Sequence, residues 1–365
     1  MIRTAVFPGR YLQGDGALLR LGEEAARLGR RPLLLAGGSA FATLIPERAA
    51  VWERSVEPRY ERFGGQCSLA EIGRLQGLAQ AESLDVVVGL GGGKVIDTAK
   101  AVADALGLPV AIAPTIASTD APTSQTAVVY RDDGTVETYL FQKRNPDVVL
   151  VDTGVIARAP VRFLVAGMGD ALSTWLEADS CVKAFAPNQC GGHSTRSGLA
   201  LARLCYDILL EHGVAAKLSC EAQVVTPALE QVVEANTLLS GLGFESAGLA
   251  SAHSIHNGLT LIPRARKFFH GEKVAFGALA GLFLCDRPRT LADEVYAFCE
   301  SVGLPTCLAD LDLGDLSPEE LDSVARRACA DGETIHHEPF PVDPGQVAAA
   351  IVTADRYGRR RRGTL

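Results

Sequence analysis

Four short apolar runs constrain the first half of this chain more than any other feature. They are PLLLA (32–36), LDVVVGL (84–90), PVAIA (109–113) and DVVLV (147–151). Each is too short for a core helix, is rich in Val, Ile or Leu, and stops at a turn signal: Gly37-Gly38, Gly91-Gly92-Gly93, Pro114-Thr115 and Asp152. Strands that are apolar on both faces belong in a parallel sheet covered by helices. Helical spacing over 16–29, 68–81 and 94–106 supplies intervening elements, so the pattern reads as βαβ repetition. Two further runs, QTAVVY (125–130) and TVETYLF (135–141), flank Arg131-Asp132-Asp133-Gly134 and predict a β-hairpin beside that sheet.

Beyond about residue 157 the character changes. Helical spacing covers 160–182, 192–212, 217–242, 243–260, 271–285, 289–302, 317–330 and 343–358, with no convincing strand. The expected organisation is an α/β, Rossmann-like parallel-sheet domain at 1–157 followed by an all-helical domain at 158–365. A chain of 365 residues with 47% hydrophobic content can fill two cores, since single cores stop growing near ~250–300 residues. The formal charge is −8, and the one Lys/Arg block, RRRR at 359–362, reads as a solvated chain end. That balance argues against nucleic acid as the main partner. MIRTAVFPGR carries no apolar segment behind its charge, so it is not read as a signal peptide. No apolar run approaches the roughly 18 residues of a membrane span. The nine cysteines are scattered, without C-x-x-C, and read as free thiols. A cytoplasmic protein is expected.

Two segments of the sheet half carry ligand chemistry. GLGGGKVIDTAKAVA (89–103) places three adjacent glycines between a strand and a helix. Glycines there let backbone amides approach a ligand, and the helix start favours an anion such as a diphosphate. A tight turn without a ligand is the plainer alternative. The segment is neither the usual G-x-G-x-x-G fingerprint nor a P-loop. PTIASTDAPTSQTA (114–127) then crowds five hydroxyl residues around Asp120. Both segments follow strands, and open α/β sheets place ligands at that end; a capped turn would also use Ser118, Thr119 or Asp120.

In the helical half, ESAGLASAHSIHNGLT (245–260) reads as a buried helix, yet it carries His253 and His256 on one face. His270 sits at a helix joint in ARKFFHGEK, and Asp170 follows Gly167-Met168-Gly169 in VAGMGDALSTWLEA. Asp170 is either a helix cap or a metal ligand, and periodicity does not choose between them. One carboxylate and two imidazoles would leave a coordination position open, as catalytic zinc sites do.

The segments above, with VAIAPTIASTDAPTS (110–124), NPDVVLVDTGVIARAP (145–160), VVTPALEQVVEANTLLSGLGFESAGLASAHSIHNGLT (224–260), FHGEKVAFG (269–277) and CADGETIHHEP (329–339), closely resemble the iron-containing (group III) alcohol dehydrogenases. The similarity runs nearly end to end and is to the glycerol dehydrogenase branch, which usually binds zinc. The resemblance implies that Asp170, His253 and His270 are the metal ligands. It implies that Gly92, Gly93 and Lys94 form the diphosphate turn, with Asp97 one helical turn on, and that Thr115, Ser118 and Gln125 lie beside the cofactor. Asp120 would contact polyol hydroxyls, Phe244 would lie at the aromatic wall of the substrate pocket, and His256 would stand near the site without being a ligand, either in the proton path or behind a ligand. NAD is the implied cofactor, with Zn, or Fe or Mn, as the metal. The implied reaction is hydride transfer from glycerol or a related diol, in a cleft between the domains, giving a hydroxyketone such as dihydroxyacetone. A homo-oligomer such as an octamer is implied, with no membrane partner.

One position departs from the family. Its members often end the second strand with an Asp that holds the adenosine ribose; here LLLAGGSAF puts Gly38 in that place. Loss of that carboxylate removes a repulsion of a 2′-phosphate, so exclusion of NADP is weakened. Arg30 and Arg31 lie too far before the strand end to grip such a phosphate. A dehydrogenase of another diol remains an alternative. A glycerol 1-phosphate dehydrogenase would want basic residues beyond Arg264, Arg266 and Lys267, and a dehydroquinate-type synthase fits GFESAG and IASTDAP poorly. Intact candidates at every ligand position argue against a non-catalytic nucleotide-binding protein. Gln125 is a large polar residue in the pocket segment and bears on the choice of diol.

Overall fold

Buried on both faces, the four apolar runs pair side by side in a parallel sheet. The structure is a computed structural model and describes residues 2–131 and 134–364. The strands are β1 (Tyr11–Gly14), β2 (Pro32–Ala36), β3 (Arg59–Arg62), β4 (Val86–Gly91), β5 (Val110–Pro114), β6 (Thr126–Tyr130), β7 (Val136–Phe141) and β8 (Val148–Asp152). Six of them form one sheet in the order β1-β8-β5-β4-β2-β3, and every pairing is parallel. The four central strands are the runs read from the sequence, and all their residues are buried. The two edge strands, YLQG and RYER, are half-buried or exposed and carry no apolar run, so periodicity misses them. The expected hairpin forms as a separate antiparallel pair, β6 with β7. Asp132 and Asp133 of its expected turn lie outside the described residues.

Helices α1 (Leu21–Ala26), α2 (Gly38–Trp52), α3 (Leu69–Ala81), α4 (Gly93–Leu106) and α5 (Thr153–Ala157) accompany the strands. Pro46 in the middle of α2 hides that helix from a periodicity reading. Then follow α6 (Val161–Ala184), α7 (Arg196–Glu221), α8 (Pro227–Glu234), a π-helical turn (Ala235–Leu239), α9 (Ser240–Ala247) and α10 (Ser251–Leu259). The chain ends with α11 (His270–Leu284), α12 (Arg289–Val302), α13 (Pro318–Ala328) and α14 (Pro344–Arg361). Among the described residues, no helix is long and apolar enough to cross a membrane.

Two breaks fall elsewhere than periodicity places them. Helix α7 runs on past Gly213, where a stop is expected. That glycine serves close packing instead: a Cβ there would come within 2.6 Å of the Phe298 ring. The break between α9 and α10 falls at Gly248, whose φ of 108° only glycine adopts readily.

The chain divides into two compact units. One is Val6–Val161 together with Ser219–Gly241; the other contains Arg162–Leu218 and Leu242 onward, with the first few residues. This differs from a single boundary at 157/158, because the stretch 219–241 groups with the sheet. Gln13 Nε2 donates to Glu230 Oε2 at 2.7 Å, and Thr123 Oγ1 donates to the Thr237 carbonyl at 2.8 Å. Asn236 Nδ2 donates to the Ala117 carbonyl at 3.0 Å.

Within the sheet unit, one buried cation holds the polar loop after β5. Lys100 on α4 is 1% exposed. Its Nζ donates to the carbonyls of Ala121 (3.0 Å), Ser124 (3.2 Å) and Thr126, and lies 3.2 Å from Asp97 Oδ1. Asp97 Oδ2 accepts the Val128 N–H at 3.1 Å. Removing one partner of a buried ion pair strands the other, at a cost of about 3–5 kcal/mol. Lys100→Ala is therefore expected to lower unfolding free energy by about that amount in urea. A loss below about 1 kcal/mol would show that water replaces the ammonium.

Candidate functional site

A buried carboxylate sits where two helices come unusually close. Asp170 lies inside α6, and His270 opens α11. Gly271 lets these helices touch: a Cβ there would lie 1.8 Å from the Ala166 carbonyl oxygen and 2.9 Å from the Asp170 nitrogen. Gly169 has the reciprocal role, since its Cβ would meet the Gly271 oxygen at 2.4 Å. The start of α11 is fixed by Glu272, which accepts the Phe269 N–H at 2.7 Å and pairs bidentately with Arg162 at 2.7 and 2.9 Å. His253 comes from α10.

These placements bring Asp170, His253 and His270 together, with one donor atom of each within 4.8 Å of the others. His270 Nε2 is 3.2 Å and His253 Nε2 3.5 Å from Asp170 Oδ1. Side-chain exposure rises from 1% at Asp170 through 16% at His253 to 38% at His270, so the cluster opens toward solvent on the His270 side. Neither oxygen of Asp170 accepts a well-formed hydrogen bond among the described residues. Burial would raise its carboxyl, but the imidazoles of His270 and His253 outweigh that and hold it below its ordinary value. A buried carboxylate whose nearest polar partners are two imidazole nitrogens calls for a cation. Ligand atoms about 2.0–2.2 Å from one ion sit roughly 3.3–3.6 Å apart in a tetrahedron, close to the separations found here. The donor set fits a divalent metal.

The partners behind each imidazole set which nitrogen faces Asp170. Glu177, buried on α6, accepts from His253 Nδ1 at 2.7 Å and from the backbone of Ala250 and His253 at 2.9 and 3.1 Å. Nε2 of His253 is left with its lone pair toward Asp170. Behind His270 runs a longer chain. Asn257 Nδ2 donates to Glu333 Oε2 at 2.9 Å, so its Oδ1 accepts from His256 Nδ1 at 3.1 Å. The remaining nitrogen of His256 then accepts from His270 Nδ1 at 3.0 Å, which again leaves Nε2 facing Asp170. Burial pushes His256 well below its ordinary value, and His270, Lys273 and His253 add to this, so it stays neutral.

The sequence reading missed Glu177. The signal was present, since Glu177 is seven residues from Asp170 on one helix, two turns along the same face. It also left the role of His256 open.

In the sheet unit, the glycine turn and the hydroxyl-rich loop face each other. Thr115 N–H donates to the Gly91 carbonyl at 3.0 Å, and a Cβ on Gly92 would meet Ile116 Cδ1 at 3.0 Å. Gly92 caps α4 without a side-chain hydrogen bond, so no side chain of the cap satisfies the first amides of the helix. Lys94 is exposed beside this turn, its Nζ 5.3 Å from the Tyr130 ring centre. Thr115, Ser118 and Asp120 are half-buried, and Ser240 Oγ donates to Asp120 Oδ2 at 2.8 Å. Gln125 is tied to the hairpin through its carbonyl, which accepts the Gln142 N–H at 2.9 Å. Asp97 differs from expectation: it points inward to Lys100 and Val128 rather than toward a ligand. Its carboxyl is raised by burial, against the pull of Lys100. Phe244 is buried on α9 in the helical unit. Gly38 opens α2 at the end of β2.

Glu177→Gln should weaken metal binding about 10–100-fold with the fold intact, measured by competition with a chelator. Unchanged affinity would remove Glu177 from the site. Asp170→Asn and His253→Ala should abolish most activity while the chain stays folded; wild-type turnover and metal content in either would overturn their assignment as ligands. Metal also competes with protons for the imidazoles. Burial depresses His253, but Glu177 and Asp170 outweigh it and raise the metal-free imidazole well above its ordinary value. A raised value means that a proton resists displacement already above the usual imidazole range. Metal affinity should therefore fall steadily between about pH 8 and pH 6; a flat profile in equilibrium dialysis would contradict this.

Comparison with known proteins agrees with the geometry. The profile of the family "Iron-containing alcohol dehydrogenase" matches residues 8–153. A glycerol dehydrogenase of Thermotoga maritima is 56% identical, over 99% of each chain. A glycolaldehyde reductase of Halobacterium salinarum is 43% identical, over 98% of this chain and 99% of its own. The crystal structure of a probable glycerol dehydrogenase from Sinorhizobium meliloti superposes with a TM-score of 0.93 at 46% identity, covering 98% of this chain and 100% of that one. Identity at this level over the whole chain, with the Asp170 cluster in place, shows the family: the chain belongs to the glycerol dehydrogenase branch of the iron-containing alcohol dehydrogenases.

Proposed function

We propose that this protein oxidises the secondary hydroxyl of glycerol or a related vicinal diol with NAD, and reduces the corresponding hydroxyketone in reverse. The observation that carries this reading is the buried Asp170 carboxylate between two oriented imidazoles, in a chain 56% identical throughout to a glycerol dehydrogenase. Asp170, His253 and His270 would hold a divalent ion. Their nitrogen and oxygen donors suit Zn, and Fe or Mn accept the same set. Such an ion lowers the pKa of a hydroxyl and stabilises developing negative charge on oxygen.

The chain's own residues position and orient. Glu177 keeps the His253 lone pair on the ligand side, and His256 does the same for His270. Both ring nitrogens of His256 are engaged, which favours positioning over proton abstraction. Gly92, Gly93 and the uncapped start of α4 would take the NAD diphosphate, with Lys94 adding charge and Thr115 and Ser118 lining the approach. Hydride chemistry belongs to the nicotinamide. Asp120, held by Ser240 through one oxygen, is the residue we assign to the polyol hydroxyls; Phe244 and Gln125 are assigned to the substrate pocket. Homo-oligomeric assembly is part of the same reading and rests on the family resemblance.

A second reading follows from the relative named glycolaldehyde reductase: reduction of a hydroxyaldehyde, with the same oxygen pattern approached from the other side. Initial rates with NAD across glycerol, 1,2-propanediol and 2,3-butanediol, and with NADH on dihydroxyacetone and glycolaldehyde, separate the two. The rates are taken after metal removal and again after refilling. Metal-dependent NAD reduction fastest with glycerol is expected. Dominant glycolaldehyde reduction would favour the second reading, and no turnover with any of the five would overturn both.

A further inference from the structure

The end of β2 brings an arginine that pairs with none of the described carboxylates to a glycine beside the Gly91-Gly92-Gly93 turn. Gly37 N–H donates to the Leu90 carbonyl at 3.0 Å, and a Cβ on Gly37 would lie 3.9 Å from Gly91 Cα, so the Gly37-Gly38 corner adjoins the turn at 91–93. In parallel register, Ala36 at the end of β2 stands opposite Arg62 at the end of β3. The Arg62 guanidinium then leans over the corner: a Cβ on Gly38 would lie 3.6 Å from its Nη2 and 3.9 Å from its Nε. Nearby arginines are committed to carboxylates. Arg59 pairs with Glu82 at 3.1 Å, and Arg74 pairs with Glu61 and Glu71, both at 2.7 Å. Arg62 is exposed and pairs with none of the described carboxylates.

In dinucleotide-binding sheets, an acid at the end of this strand holds the adenosine ribose hydroxyls, and an arginine nearby accommodates a 2′-phosphate. Gly38 supplies no acid, and its missing side chain is what leaves the guanidinium open. An Asp at 38 would reach Arg62, neutralise it and repel a phosphate at once. A guanidinium matches a phosphate dianion through paired N–H donors. Given the dinucleotide reading above, on which this rests, we propose that Arg62 makes the chain a binder of NADP as well as NAD, by gripping the 2′-phosphate over Gly38. Arg62 is thus a specificity-determining residue.

Calorimetric titration of the full-length protein with NADH and NADPH, without substrate, tests this. Wild type should bind both. Arg62→Ala should shift the ratio of the two dissociation constants about ten- to a hundredfold against NADPH, the size of a lost charge-assisted hydrogen bond. Arg62→Lys should recover part of it, and Gly38→Asp should shift the ratio the same way as Arg62→Ala. Wild type that binds NADH but not NADPH overturns the proposal, as does an Arg62→Ala protein whose two constants move together. Wild type that binds neither overturns the dinucleotide reading itself, a different result from the first two.

Discussion

The Asp170 carboxylate is 1% exposed and accepts no well-formed hydrogen bond from the described residues. Leaving such a charge bare in a helical core costs several kcal/mol, and the surrounding architecture makes sense as the answer to it. Two glycines let α6 and α11 approach closely enough for His270 to reach it. Glu272 and Arg162 fix the start of α11, so that approach is rigid. Glu177 and the run His256–Asn257–Glu333 settle which nitrogen of each imidazole faces inward. Six polar side chains outside the cluster thus serve three ligand atoms. Precision of this kind suits an ion that must present an open face to a substrate while its protein ligands stay still.

The sheet unit solves a parallel problem with opposite charge. A loop crowded with hydroxyls follows β5, and buried polar backbone there needs donors. Lys100 supplies them from inside α4, donating to three carbonyls of the loop, and Asp97 balances its charge. The π-helical turn and the start of α9 grip the loop from another side through Asn236, Thr237 and Ser240. π-turns interrupt a helix where a local contact needs backbone or side chains at an unusual angle, and they often occur at functional sites. Here the turn reaches the residues around Asp120. The glycine turn itself keeps side chains away from the start of α4, where a Cβ on Gly92 would meet Ile116 at 3.0 Å.

Much of this was legible in the sequence because burial leaves a periodic signature. The central strands read directly as apolar runs, and the hairpin as two flanking runs. The edge strands YLQG and RYER were invisible for the converse reason: half-exposed strands carry no run. Periodicity ended a helix at 212, whereas Gly213 sits inside one as a packing contact against Phe298, which only the facing helix reveals. Asp170, His253 and His270 could be named from the family resemblance, whereas spacing alone left Asp170 between cap and ligand. Glu177 and Lys100 went unread although both sit at helical spacing from a named acid, because a charged residue on a buried face looks, in sequence, like one on a solvated face. Asp97, which the family resemblance implied beside the diphosphate turn, is turned inward by the helix. Arg62 could not be found at all from sequence, since its meaning depends on parallel register with β2.

The central claim is that Asp170, His253 and His270 hold a divalent ion through the two Nε2 atoms and a carboxylate oxygen. A metal-edge X-ray absorption spectrum of the active protein tests it most directly. The account predicts one ion per chain with two imidazoles and oxygen donors in its shell, at about 2.0–2.2 Å. Full activity without any bound ion, or a shell that Asp170→Asn leaves unchanged, would contradict it.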